Sequence, residues 1–221
     1  MRIAVVSTGA TLSTYTLNQI AEKLNLTNYE EFYNQLFVGD DDVAVAEANA
    51  KLYDTENYCV KLMTGGLQLN KKINYNNINW EVFDKLVFTE RQSVTDQVLS
   101  LYTSTLGIKS SLNTDTPTHV VISNELFVQT KYAILQIRRM YQTYKTELIQ
   151  RFPDKCFTIE YETLNTEEYV TKFNSINNTN FLLFNFVSPH AVVNAIRTGT
   201  PFRNVISNYS EIEENITNHT N

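Results

Sequence analysis

Apolar and polar positions fall in blocks along this chain, and the blocks change period. Ile3 to Val6 is a short β-branched run of the kind that fills a parallel strand buried on both faces. Leu12, Tyr15, Leu17, Ile20, Ala21 and Leu24 then recur at helical spacing, which places a helix start near Thr11. Between the two lie small or hydroxylated residues with one glycine, Gly9, to allow a tight reversal. Leu26 to Leu36 is polar with interspersed aromatics. Asp40-Asp41-Asp42 then reads as the acidic start of a helix running through Val43 to Leu52.

Tyr58 to Met63 predicts a second strand, stopped by Gly65-Gly66, and Asn70 to Asn79 a polar loop. Phe83 to Phe88 predicts a third strand, ending in Thr89-Glu90-Arg91, followed by a helix from Ser93 to Leu106. Ser123 caps a long helical pattern that carries Ile134, Ile137, Tyr141 and Leu148 and breaks at Phe152-Pro153-Asp154. Cys156 to Tyr161 predicts a fourth strand, and Thr166 with Glu167 and Glu168 opens another helix. Phe181 to Val187 reads as a strand or buried segment, and Pro201 to Ile216 as a final amphipathic helix. Strands alternating with helices predict a three-layer αβα fold, a mostly parallel sheet covered on both faces. The expected organisation is a single α/β domain over residues 1–216 with a polar tail at 217–221.

Two details carry chemistry. Strand, small-residue turn and helix at the start of the chain aim free N–H groups and the positive end of a helix dipole at one point. That point is an anion site or an ordinary βα turn. In the Ser93–Leu106 helix, Val94, Val98 and Leu101 form an apolar stripe, while Ser93, Gln97 and Ser100 fall on a second, polar one. The polar stripe lines a ligand site or faces solvent.

Composition narrows the class. A chain of 221 residues suits one good-sized α/β domain, and a net charge of −6 argues against a general nucleic-acid binder. Cys59 and Cys156 lie in apolar, strand-like runs and read as buried free thiols. With neither a signal-peptide pattern nor an apolar run near the ~20 residues that span a bilayer, the expected location is the cytoplasm, away from membranes, including the host cytoplasm of a bacterial virus.

Four stretches, in order, make the chain resemble the P-loop-fold sulfotransferases that use 3′-phosphoadenosine 5′-phosphosulfate (PAPS), above all the compact sulfotransferase-like proteins of bacteria and their viruses. Ser7-Thr8-Gly9-Ala10-Thr11-Leu12 sits where that family has its 5′-phosphosulfate loop. Arg91 through Ser100-Leu101-Tyr102 is similar to the 3′-phosphate element, an arginine at a strand end followed by a serine on the next helix. Ile159-Glu160-Tyr161-Glu162-Thr163-Leu164 is similar to a Tyr-Glu-x-Leu strand end, and Asn208-Tyr209-Ser210-Glu211 to an Asn-Tyr-x-Glu pattern near the C-terminus.

The resemblance implies a P-loop nucleoside-triphosphate-hydrolase-like (sulfotransferase) fold and transfer of a sulfuryl group from PAPS to a hydroxyl of a small molecule or glycan, with PAP as product and no metal. Ser7, Thr8, Gly9, Ala10, Thr11, Leu12 and Ser13 would hold the 5′ end of the donor, and Arg91 with Ser100 the 3′-phosphate. Glu31, within Tyr29-Glu30-Glu31-Phe32-Tyr33, would be the base, with Glu30 as the alternative in register. A family cation precedes the Ser-Gly of the first loop, and here Ser7 stands in its place. Lys61, at the end of the second strand, is either a substitute cation or a surface lysine. The interval from Arg91 to Ser100 is one residue longer than in the common cytosolic enzymes. Without a Gly-x4-Gly-Lys-Ser/Thr pattern, an ordinary ATP- or GTP-hydrolysing loop is disfavoured. The alternatives are a PAP- or anion-binding module of the same fold without catalysis and, further off, a nucleotide-dependent kinase or glycosyltransferase of another α/β family.

Overall fold

A computed structural model describes residues 1–11, 13–30, 41–64, 78–105, 121–163, 166–177 and 206–217. They belong to two compact units: residues 1–92 with 137–186, and residues 93–136 with 187–221.

Among the described residues, the first unit is built on a five-stranded, all-parallel sheet in the order β2-β3-β1-β4-β5. Its strands are β1 (Arg2–Ser7), β2 (Thr27–Asn28), β3 (Tyr58–Met63), β4 (Lys85–Glu90) and β5 (Cys156–Glu160). Central β1 pairs Val5 with Lys61 on one side and with Val87 on the other. Ile3, Ala4, Val5 and Val6 are all fully buried, which is why β1 reads as a continuous apolar run rather than an alternating one.

Each face of the sheet has its own cover. Ala4, Val6, Val60, Leu62, Leu86 and Phe88 point into a core closed by Leu52, Trp80, Phe83, Tyr141 and Leu148. Leu52 comes from α2 (Asp41–Tyr53), and Tyr141 and Leu148 from the long helix α4 (Asn124–Arg151). The opposite face carries α1 (Ser13–Leu24), whose Leu17 and Ile20 are buried and whose Leu17 carbonyl lies 3.9 Å from Cys59 Sγ. Helix α5 (Glu167–Asn177) packs against β5 with Tyr169 and Phe173 stacked at 6.0 Å. Thr166 accepts a hydrogen bond from Tyr169 N at 3.3 Å, capping α5 as its sequence predicts.

The differences from expectation are local. The two-residue strand β2 is too short to show a period. The third predicted strand is β4, displaced two residues onward, because Trp80–Val82 forms a 3-10 turn that Phe83 closes. Cys59 is buried and Cys156 half-buried, and both are free thiols. Among the described residues no helix is long and apolar enough to cross a membrane.

In the second unit, α3 (Val94–Thr105) follows Ser93, whose hydroxyl accepts from Asp96 N at 3.2 Å and caps the helix. The polar stripe of α3 does not face solvent: Gln97 and Ser100 are buried. Helix α6 (Tyr209–Thr217) brings the Asn-Tyr-x-Glu segment back to the start of α4. Asn208 bonds both the N–H and the carbonyl of Ile122, at 3.1 and 2.9 Å, and Glu211 accepts from Asn124. Within this unit, the motif holds segments together.

Candidate functional site

The connection leaving β1 runs to β2 on one side, and that leaving β4 runs to β5 on the other. The carboxyl ends of β1 and β4 therefore form the topological switch of the sheet, where open α/β folds bind ligands. The Ser7–Ser13 turn and Arg91 both sit at this point.

The turn is tightly held. Thr11 Oγ1 donates to the Thr8 carbonyl at 2.9 Å and meets Thr89 Oγ1 of β4 at 2.9 Å. The Ser7 carbonyl accepts from Thr64 N at 2.8 Å and Thr64 Oγ1 at 3.0 Å, tying the end of β1 to the end of β3. Ala10, in the reversal, is left-handed, with φ of 59°. A Cβ in that region costs about 1–2 kcal/mol, strain of a kind that accumulates where backbone geometry has a task. Ser7, Thr8, Thr11 and Ser13 are buried. Among the described residues Ser7 Oγ has no hydrogen-bond partner, and Ser7 is 0% exposed. Because Ser7 pairs with Thr89 across a parallel register, its side chain shares the sheet face on which Thr89 meets the turn.

Lys61 reaches the same place. It is 7% exposed, and its Nζ donates to Thr14 Oγ1, in the first turn of α1, at 2.7 Å. This is no surface lysine. The helix dipole is positive there, so the ammonium sits where a cation is disfavoured and an anion would be welcome to both. Glu30, alternative in register to Glu31, runs alongside β3: its carbonyl accepts from Lys61 N at 2.7 Å, and its φ is 49°.

Arg91 follows β4 directly and is 2% exposed. Its guanidinium lies over the Tyr161 ring at 4.0 Å from the centroid, and its Nη1 is 3.5 Å from the Ala10 carbonyl. Glu162, next to Tyr161, accepts from Gln92 N at 2.9 Å. Three stretches far apart in the chain thus meet here.

Sequence reasoning missed Arg138. Its Nη1 donates to the Arg91 carbonyl at 2.6 Å. Burial lowers its pKa, an effect opposed by the nearby carboxylates of Glu90 and Glu162. Thr8, Glu90, Arg91, Arg138, Tyr141 and Gln142 line a cavity of about 10 Å³, room for one water. The Tyr141 hydroxyl sits at its base, donating to the Thr89 carbonyl at 3.1 Å, with the Val6 carbonyl 3.4 Å away. The signal was available: Arg138 lies four residues after buried Ile134 and three before buried Tyr141, inside the apolar stripe of its helix.

Of the predicted site residues, Ser7, Thr8, Gly9, Ala10, Thr11, Ser13, Lys61 and Arg91 belong to the first unit, at the carboxyl edge of its sheet. Ser100 belongs to the second unit, buried on α3. Leu12 and Glu31 lie outside the described residues.

No protein-family model matches this chain, and no curated protein matches it at a significant level.

Proposed function

We propose that the protein binds PAPS and transfers its sulfuryl group to a hydroxyl acceptor. The observation that carries this reading is the meeting of three of the four family-like stretches at one point. Arg91 of the second stretch touches Ala10 of the first and Tyr161 of the third.

The residues present suit a ligand with two anionic ends. At the α1 end, a buried hydroxyl without a partner among the described residues (Ser7) and the Lys61 ammonium stand beside the positive end of a helix dipole. At the β4 end, Arg91 offers a planar fork for phosphate oxygens. PAPS supplies the sulfuryl group, and PAP is the leaving product. In this reading the α1 turn and Lys61 neutralise charge at the 5′ end, Arg91 holds the 3′-phosphate, and Glu31 takes the acceptor proton. Little covalent work falls to the protein; positioning and charge neutralisation carry the reaction, as in phosphoryl transfer.

A second reading, a PAP- or anion-binding module without turnover, is favoured by one observation: position 7 carries a neutral serine where the family carries a cation. Incubation with sulfur-labelled PAPS and a panel of phenols, alcohols and glycans separates the readings. Label on an acceptor supports transfer. PAP binding with no labelled product supports the module, and neither result leaves the donor assignment without foundation.

A further inference from the structure

We infer that Arg138 is the positioning residue for Arg91: it fixes the main chain from which the Arg91 fork is presented, and so sets selectivity for a ligand with a second phosphate. The inference rests on the donor reading for the identity of that ligand, but not for the mount itself.

The turn after β4 is clamped at three successive residues. Glu90 accepts from Gln142 Nε2 at 2.7 Å and pairs with Lys145 Nζ at 2.8 Å. Gln92 donates its N–H to Glu162 and its side-chain amide to Glu160, both at 2.9 Å. Between them, the carbonyl of Arg91 receives Arg138 Nη1 at 2.6 Å, the shortest of these contacts and a charge-assisted one. Gln142 and Lys145 hold the side chain of Glu90; Arg138 holds the backbone of Arg91.

Residues 138, 142 and 145 recur at helical spacing, so one face of α4 holds both Glu90 and Arg91. The placement is costly unless it has a use. Arg138 brings a second guanidinium to the cavity that Arg91 already lines, and like charges in a partly buried site repel. Glu90 and Glu162 favour the charged form of Arg138, against the burial that disfavours it. A cation there keeps the bond short and leaves the rim of the site attractive to anions. The Arg91 guanidinium, pinned at its root by Arg138 and laid on Tyr161, is preorganised for a fork-shaped contact.

The test compares wild type with Arg138→Gln, Arg138→Met, Arg138→Lys and Arg91→Ala, first without ligand. Arginine side-chain Nε–H resonances are recorded by NMR, and that of Arg91, identified by its loss in Arg91→Ala, is displaced by the Tyr161 ring. In Arg138→Gln it should return to the position of a free arginine, and Arg138→Lys should keep it displaced. PAP affinity should then fall about tenfold in Arg138→Gln, while 5′-AMP affinity stays within about twofold. Should Arg138→Gln not fold, Arg138→Met carries the same expectations. An unmoved Arg91 resonance, or equal losses for PAP and 5′-AMP, would overturn the inference. A released resonance in a protein whose wild type binds no PAP would leave the mount standing and remove the donor reading.

Discussion

Lys61 Nζ lies 2.7 Å from Thr14 Oγ1, a strand lysine joined to the first turn of the helix that follows the neighbouring strand. Val5 is Lys61's partner in the sheet, and the lysine reaches from β3 to the start of the helix that follows Val5's own strand. In the proposed reading, Lys61 supplies from another strand the cation that position 7 lacks. If this cation stabilises charge growing on the leaving phosphate oxygen, Lys61→Ala should lower turnover by ~10²-fold or more, with PAP affinity little changed. Steady-state rates beside calorimetric titration decide it. Wild-type turnover that Lys61→Ala leaves intact would show that Lys61 plays no part in transfer.

Arg91→Ala should weaken PAP binding by ~1.5–3 kcal/mol, the range for hydrogen bonds to a charged group. Adenosine 5′-phosphosulfate, which has no 3′-phosphate, should bind almost as before. The substitution also uncovers the Tyr161 ring and the Ala10 carbonyl, so some loss of melting temperature is expected. Equal losses for both ligands would mean that Arg91 only supports the fold.

Phe88→Ala should destabilise the first unit by about 3–5 kcal/mol, the cost of an aromatic truncation in a closed core. Phe88 is fully buried and meets Tyr141 edge-on at 6.2 Å. Urea unfolding followed by tryptophan fluorescence measures it, since Trp80 belongs to the same core. A loss under ~1 kcal/mol would show that the α4 face of the sheet is not packed as described.

Alkali should unfold the protein through groups buried in their neutral forms. Burial pushes the Cys59 thiol up to about 12 from an ordinary 9.0, and the Tyr58 hydroxyl up to about 12 from 10.0. In the unfolded chain both lose protons first, so the folded state binds more protons between those values. The stability these groups contribute is complete below about pH 9 and is lost as pH rises toward 12. The slope is about 1.4 kcal/mol per pH unit for each proton held. Melting temperatures taken across that range should fall, and Cys59→Ala should flatten the fall. A flat profile in the wild type would contradict the burial of these groups.

Much of this was legible in sequence, and the reasons are local. An apolar run bounded by small residues identified β1 and its turn, because a strand covered on both faces has no polar positions to hide it. The acidic start of α2 and the Thr166 start of α5 were visible because helix ends need partners that few residue types supply. What escaped depends on contacts between distant elements. Nothing near Lys61 in the chain reveals that Thr14 lies over it. The polar stripe of α3 looked equally fit for solvent or ligand until Gln97 and Ser100 proved buried. Arg138, beside Arg139, passes for a solvated pair unless its register with Ile134 and Tyr141 is counted. Glycine tolerates positive φ, which marked the turn at Gly9; that Ala10 takes a φ of 59° depends on the fold around it.

Calorimetric titration of PAP against ATP tests the central claim most directly, since the two nucleotides differ where Arg91 is assigned its work. PAP should bind more tightly than ATP, and at a hundredfold excess over its dissociation constant it should stabilise the fold by ~2.7 kcal/mol. Equal affinities for the two, or none for either, would contradict the account.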